Sequence, residues 1–360
     1  MRLGIIGLPQ SGKTTIFNAL TRGDRPTTTS GGRFDVHTAV VNVPDERVDR
    51  LSALFHPKKT VYAKVTYADI AGLDGSAGKS GLSGALLNQL SQMDGFLHVV
   101  RCFEDENVAH PAGSVNPGRD VAAMDAELLL NDMIVVERKL ERLADESRKG
   151  GGRDRGTVER EISLFQHLNE ALANEKPLRQ VQVSAEEIKN LSGFGLLTRK
   201  PILIVLNLSE GQLPPPREEL MEGRAVEDPC VPLQGKLEME IAQLPEEDTQ
   251  AFLEDYGIKE PGLHRVIHLS YDLLGLQSFF TVGEDEVRAW TLRRGATAFE
   301  AAGEIHSDLQ RGFIRAEVIS VDDLISLGGL SEARAKGRLR LEGKEYKVQE
   351  GEVVHIRFNI

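Results

Sequence analysis

The sequence predicts an α/β protein in which an open sheet of buried parallel strands is interrupted by a helical hairpin and followed by a small α+β module. Three observations lead to that expectation. Apolar runs at residues 3–6, 96–103 and 201–207 are short and bounded by turn residues, the pattern of strands covered on both faces. Between residues 125 and 175 the apolar spacing becomes helical, with one Gly-rich break at 148–156. From residue 277 short strand-like runs surround one helical run, as in a compact α+β module. The expected boundaries are 1–124 and 198–275 for the sheet domain, 125–197 for the inserted helices and 277–360 for the module.

The bulk numbers narrow the class. A chain of 360 residues with 40% apolar and 27% charged residues suits two or three globular domains. A net charge of −12 argues against a broadly basic surface but leaves a local basic patch open. The two cysteines, Cys102 and Cys230, are not spaced for a metal and point to a reducing compartment. No apolar run approaches the roughly 20 residues that span a bilayer. Residue 1 leads directly into a strand, so no signal peptide is expected. The cytoplasm is the expected location, and no membrane is expected as a partner.

Taken in order, the first strand stops at Gly7, and a helix opens near Thr15. Between them lies Gly7-Leu-Pro-Gln-Ser-Gly12-Lys13-Thr14, the phosphate-binding loop pattern in its required strand–loop–helix context. The glycines permit a tight turn that aims successive N–H groups into one concavity, and the helix N-terminus favours an anion there. Lys13 is placed to reach the β- and γ-phosphates, and the Thr14 hydroxyl to ligate Mg²⁺. Residues 21–33 read either as a loop that orders around the γ-phosphate or as a solvated linker. A strand at 36–43 and a helix at 44–55 follow.

The strand at 61–70 ends in Asp69-Ile-Ala-Gly72. An Asp at a strand end followed three residues later by Gly matches a second phosphate signature. Asp69 would hold the Mg²⁺ shell, and the Gly72 N–H would sense the γ-phosphate. The next residue is Leu73, where Ras-like enzymes carry a water-orienting Gln; leucine cannot orient water, so hydrolysis must recruit another group or be slow. Residues 74–84 read as a second Gly/Ser-rich loop. His110 follows the buried strand at 96–103 and is a candidate catalytic or water-positioning group, with an ordinary loop histidine as the alternative.

Helices at 125–147 and 158–175 form the expected hairpin or antiparallel coiled coil. Its tip carries Lys149, Arg153 and Arg155, read either as an RNA or partner contact or as a solvated loop. A Ser-x-x-Glu capping box opens a helix at Ser184. The apolar strand at 201–207 returns the chain to the sheet and leads into Asn207-Leu208-Ser209-Glu210. GTPases read guanine there with Asn-Lys-x-Asp, whose Asp accepts from guanine N1–H and the exocyclic amine; adenine N1 is itself an acceptor. With Leu208 in the place of the Lys, guanine specificity should weaken in favour of adenine. Gly235 and Lys236 supply a base-side loop, and helices are expected at 237–244 and 246–256. The tail contains strand-like runs at 279–281, 286–292, 312–319, 338–342, 347–348 and 353–358, with a helix at 297–311. It gathers no acids, bases or metal ligands and reads as a recognition module.

These residues resemble the YchF/Obg-like ATPase family across essentially the whole chain. The resemblance rests on residues 7–21, Val43-Pro-Asp45, Asp69-Ile-Ala-Gly-Leu73, residues 98–104, Asn207-Leu-Ser-Glu210, residues 261–267, 279–283 and 286–291, and 311–319 and 349–359. It implies a P-loop NTPase with a Ras-like G domain, an inserted coiled coil and a C-terminal TGS domain of ubiquitin-like β-grasp fold. It implies hydrolysis of ATP, binding of GTP as well, and association with the ribosome or a ribosomal subunit, with RNA contact through the coiled coil and TGS domain. By motif, Gln10, Ser11, Gly12, Lys13, Thr14 and Thr15 would wrap the phosphates, and Thr14 and Asp69 would hold Mg²⁺. Leu208 would contact adenine, and His110 would take over the missing Gln's task. Three departures stand out. Gln10 replaces an Asn that supports a potassium ion, so K⁺ dependence does not follow from the resemblance. Arg33 stands where the family has its metal-binding switch threonine, for which residues 27–30 or Thr38 would have to substitute. Gln234 replaces the usual Ser before Gly235. A GTPase, and a protein that holds nucleotide with little turnover, remain the alternative readings.

Overall fold

The apolar runs form the interior of a sheet. The computed structural model of the chain describes residues 1–23, 36–70, 82–149, 152–220 and 228–359. Gly72 and Leu73 of the second phosphate signature, residues 27–30 and Arg33 lie outside the described residues. The contacts divide the chain into two units, residues 1–39 with 66–266 and residues 40–65 with 267–360.

In chain order the elements are β1 (Arg2–Ile6), α1 (Lys13–Thr21), β2 (Val36–Asn42), α2 (Glu46–Phe55), β3 (Lys59–Val61), β4 (Lys64–Ile70), α3 (Gly84–Ser91) and β5 (Gly95–Arg101). The insertion contributes α4 (Pro117–Lys149), α5 (Arg155–Ala173) and α6 (Ala185–Leu191). The chain then returns through β6 (Ile202–Asn207), α7 (Arg217–Leu220), β7 (Cys230–Leu233), α8 (Gly235–Gln243), α9 (Glu246–Asp255) and α10 (Gly262–Leu273).

The first sheet has the order β2-β4-β1-β5-β6-β7. β1 pairs in parallel with β4 and β5, β5 with β6, and β6 with β7. Every residue of β5 and β6 is buried, which explains their largely apolar sequences; the buried polar residues are His98, Arg101 and Asn207. The insertion has no break at residue 125: α4 begins at Pro117, so one 33-residue helix leaves the sheet layer and continues into the hairpin. The hairpin has a core of its own, with Val136, Leu143, Phe165, Leu168 and Leu172 buried against Leu178, Leu191 and Leu196. The expected capping box is present between Ser184 and Glu187.

Asp132 fastens this insertion. Its side chain is buried in α4 and accepts from the N–H of Leu197 at 2.8 Å and of Thr198 at 2.7 Å, and from the Thr198 hydroxyl at 2.6 Å. Burial pushes the carboxyl above the usual carboxylate range, against the opposing effect of donors from Thr198, Leu197 and Asn131.

The second unit holds β8 (Leu276–Thr281), β9 (Glu286–Arg293), α11 (Ala298–Ile305), α12 (Ser307–Arg311), β10 (Phe313–Ser320), α13 (Val321–Leu327), α14 (Leu330–Ala335), β11 (Arg340–Glu342) and β12 (Glu352–Phe358). Its sheet runs β11-β10-β12-β8-β9-β3. β8 and β12, the first and last strands of the module, are parallel neighbours, while β8–β9 and β10–β12 are antiparallel, as in a β-grasp sheet. Ala298, Ala301 and Ala302 of α11 pack into the core of one face with Phe279, Val318 and Val354.

Several details differ from the sequence expectation. The helix expected at 297–311 is two helices, because His306 is extended (φ −166°) and caps the second. Two further short helices, α13 and α14, follow a Ser320 cap, whereas the tail was expected to contain one. Lys347 makes an isolated bridge with Thr297 in place of a strand.

The larger difference is that residues 40–65, expected in the sheet domain, group with the C-terminal unit. β3 pairs in parallel with β9, setting Lys59–Val61 beside Glu286–Arg288. Arg47 on α2 donates to both Asp45 oxygens at 2.8 Å, meets Glu350 at 2.5 Å and lies 5.0 Å from the Phe280 ring centroid. Arg50 pairs with Asp322 at 3.0 Å and Lys58 with Asp285 at 2.8 Å. The exposed pairs contribute little, so strand pairing and Arg47 carry most of the attachment.

Two outcomes test this packing. Asp132→Asn turns an NH₂ group towards existing donors and should cost about 1–3 kcal/mol in urea unfolding; wild-type stability would contradict the fastening role. Arg47→Ala should lower the midpoint of thermal unfolding followed by fluorescence of Trp290, the chain's single tryptophan and a β9 residue, by the equivalent of about 1–2 kcal/mol. An unmoved Trp290 transition would show that residues 40–65 do not stabilise that unit.

Candidate functional site

The sheet register builds the site. Ile5 lies beside Asp69 of β4, Ile6 beside His98 of β5, and Arg101 at the end of β5 beside Asn207 at the end of β6. The C-terminal ends of these strands therefore share one edge, where open α/β sheets bind ligands.

The loop after β1 requires its glycines. Gly7 (φ 151°) and Gly12 (φ 94°) occupy positive-φ conformations, and so does Gln10 (φ 61°). A Cβ on Gly7 would stand 2.3 Å from the Val99 carbonyl oxygen, and one on Gly12 would stand 2.1 Å from Asn207 Nδ2. Gly12 caps α1 with no side-chain hydrogen bond, which leaves the first-turn N–H groups facing outward for an anion. The Ser11 hydroxyl is buried and has no hydrogen-bond partner among the described residues.

Lys13 arches back over this loop, and its Nζ donates to the Gly7 carbonyl at 2.9 Å and the Leu8 carbonyl at 2.8 Å. Burial lowers its pKa to about 8, with the Asp69 charge opposing the shift. Thr14 Oγ1 donates to Asp69 Oδ2 at 3.1 Å. A hydroxyl and a carboxylate in contact are hard oxygen donors that fit Mg²⁺, an ion that takes one or two protein ligands and completes its shell with water and phosphate. Among the described residues no group of three or more His, Cys, Asp or Glu gathers as an all-protein metal cage. Gln10 is exposed at the rim of the loop, and Thr15 lies half-buried in the first turn of α1.

On the base side, Asn207 Nδ2 donates to the Ser11 carbonyl at 3.0 Å, and Oδ1 accepts from the Gly235 N–H at 3.1 Å. A Cβ on Gly235 would lie 2.6 Å from Asn207 Oδ1. Leu208 is buried in the apolar core, with its N–H on the Leu233 carbonyl. Glu210 and Lys236 are exposed. Gln212 secures the turn that carries Glu210, accepting from the Ser209 N–H at 2.9 Å and donating to the Cys102 carbonyl at 2.7 Å.

His110 is tied down on both sides. Its Nδ1 accepts from the Ala112 N–H at 3.1 Å, so Nε2 carries the ring proton and donates to Asp120 Oδ2 at 2.9 Å. Arg119 donates to the other Asp120 oxygen at 2.8 Å and 3.0 Å, and to the Ser114 carbonyl at 2.6 Å. The hairpin tip is charge-balanced: Arg153 pairs with Glu146 and Glu161, Arg155 with Glu159, and Lys149 lies 3.8 Å from Asp145.

The structure thus gathers Ser11, Gly12, Lys13, Thr14, Asp69, Asn207 and Gly235 at one edge, while Gly72 lies outside the described residues. Sequence reasoning missed Asp120, Arg119 and Gln212. Asp120 had one signal, an acid in the first turn after Pro117, but that reads equally as a helix-dipole partner.

Comparison with known proteins follows the same lines. Residues 2–139 match a family model described as 50S ribosome-binding GTPase, and residues 276–359 match the YchF-GTPase_C model, described as a protein of unknown function. The chain is 42% identical to the ribosome-binding ATPase YchF of Bacillus subtilis, over 99% of each chain. It is 34% identical to Obg-like ATPase 1 of Caenorhabditis elegans, over all of this chain and 92% of that one. The structure of the Schizosaccharomyces pombe YchF GTPase superposes with a TM-score of 0.86 at 31% identity, covering 99% of this chain and 97% of that one. The chain belongs to the YchF/Obg-like ATPase family of P-loop NTPases.

Proposed function

We propose that this protein is a Mg²⁺-dependent ATPase, preferring ATP to GTP, that acts as a ribosome-associated switch in the cytoplasm. The observation that carries the reading is the arrangement of Lys13 across the phosphate loop with Thr14 and Asp69 in contact at its mouth. On binding, the loop N–H groups take the phosphate oxygens, and Lys13 exchanges its two carbonyl partners for the β- and γ-phosphates. Thr14 and Asp69 would hold Mg²⁺, which would supply neutralisation of the charge that develops on the phosphates.

The preference for ATP rests on Asn207-Leu-Ser-Glu210. The Lys that would cover a guanine ring is Leu208, whose side chain is buried in the core, and the exposed Glu210 is longer than the Asp that reads guanine. The ribosomal role rests on relatives named as ribosome-binding ATPases that match the full length. Any RNA contact at the hairpin tip would work through cations already facing carboxylates. His110 is the proposed water-positioning group in place of a glutamine. A second reading, a protein that holds nucleotide with slow turnover, is favoured by one observation: both ring nitrogens of His110 are engaged, one by the Ala112 N–H and one by Asp120.

Competition binding and phosphate release test the proposal. ATP should displace a fluorescent nucleotide at lower concentration than GTP, and Mg²⁺ removal should suppress phosphate release. GTP bound much more tightly than ATP would defeat the base assignment. Lys13→Ala should abolish triphosphate binding; retained affinity would defeat the phosphate-loop assignment.

A further inference from the structure

The His110 loop is more constrained than a connection between a strand and a helix needs to be. It runs from the end of β5 to the start of α4, and three elements hold it. Arg101 donates to the Phe103 carbonyl at 3.0 Å and the Val108 carbonyl at 2.8 Å. Gln212 holds the Cys102 carbonyl. Arg119 grips Ser114 and presents Asp120 to His110. The His110 and Asp120 side chains are each 4% exposed. They line one small crevice with Leu8, Pro9 and Ser11 of the phosphate loop, so His110 is held beside that loop.

We infer that Asp120 is a positioning residue that latches His110 in a resting position, and that turnover requires this latch to open. The inference rests on the reading of His110 as the water-positioning group. The imidazole in the latched state has no nitrogen free for water: Nδ1 holds the Ala112 N–H and Nε2–H holds a carboxylate. A ring in that state neither accepts a proton from water nor orients it. The bond to Asp120 is charge-assisted, and Arg119 holds the carboxylate in place through its other oxygen, which makes it the strongest restraint on the ring. Gly113 (φ 81°) lies three residues beyond His110 with open space around its Cβ position, so the loop has a place to rotate once the bond is broken. Asp120 sits in the first turn of α4, the helix that carries the hairpin, so the latch joins the His110 loop to the inserted domain.

The test compares steady-state ATP hydrolysis and nucleotide affinity of the full chain in wild type, Asp120→Ala, Asp120→Asn, His110→Ala and the double variant Asp120→Ala/His110→Ala. Asp120→Ala should raise kcat about tenfold, the equilibrium cost of one charge-assisted bond, with nucleotide affinity unchanged. Asp120→Asn keeps an acceptor for Nε2–H but loses the charge, and its rate should lie between the two. The gain should vanish in the double variant, which a general loosening of the fold would not produce. If Asp120→Ala does not fold, the rise in Asp120→Asn decides the matter. A kcat that stays level or falls in both Asp120 variants, while His110→Ala is impaired, overturns the latch and leaves the role of His110 standing. Wild-type turnover in His110→Ala overturns the role of His110 and the latch with it.

Discussion

Two hydrogen bonds from one carboxamide hold the phosphate loop and the loop opening α8 at a fixed separation. Asn207 Nδ2 donates to the Ser11 carbonyl and Oδ1 accepts from the Gly235 N–H, an arrangement that only one orientation of the amide satisfies. The side chain is buried at the end of a fully buried strand, so both bonds form away from water and are costly to lose. The two glycines follow from it: a Cβ at Gly12 or Gly235 would collide with the same amide. With the loop held there, Lys13 can fold back onto Gly7 and Leu8, and Thr14 is brought to Asp69. The phosphate cradle is pre-shaped by this link before any nucleotide arrives.

The second constraint is the path of residues 40–65. β4, the strand that carries Asp69, begins within residues grouped with the C-terminal unit, where α2 and β3 pack through Arg47 and the pairing of β3 with β9. The chain therefore enters and leaves that unit between the two phosphate signatures of the sequence. The C-terminal module is not a simple appendage of the final residues; part of its sheet is encoded far upstream.

Much of the fold is legible in the sequence because its determinants are local. The phosphate loop is readable because each residue type answers to its own backbone conformation, and β5 and β6 because strands buried on both faces are mostly apolar. The Ser184 capping box is readable for the same reason. What was not legible depends on partners distant in the chain. Nothing in Lys59-Thr-Val61 states that it pairs with a strand beginning at Glu286. The start of α4 was not legible either, because its helical period runs on from Pro117 across residue 125. In the site, Lys13, Thr14, Asp69 and Asn207 could be named from motifs, but the bridge from Asn207 to Gly235 and the bond from His110 to Asp120 required the loops to be folded. Leu208 illustrates the limit from the other side: a motif position gives a residue's place in the chain, whereas burial decides which way its side chain faces.

The claim that Asn207 organises the site is tested most directly by titrating ATP and GTP into Asn207→Ala alongside wild type. Losing both hydrogen bonds should weaken binding of the two nucleotides by a similar factor, between about tenfold and a hundredfold, and should lower the thermal unfolding midpoint while the protein stays folded. Undiminished affinity for both nucleotides in a folded Asn207→Ala protein would contradict the account.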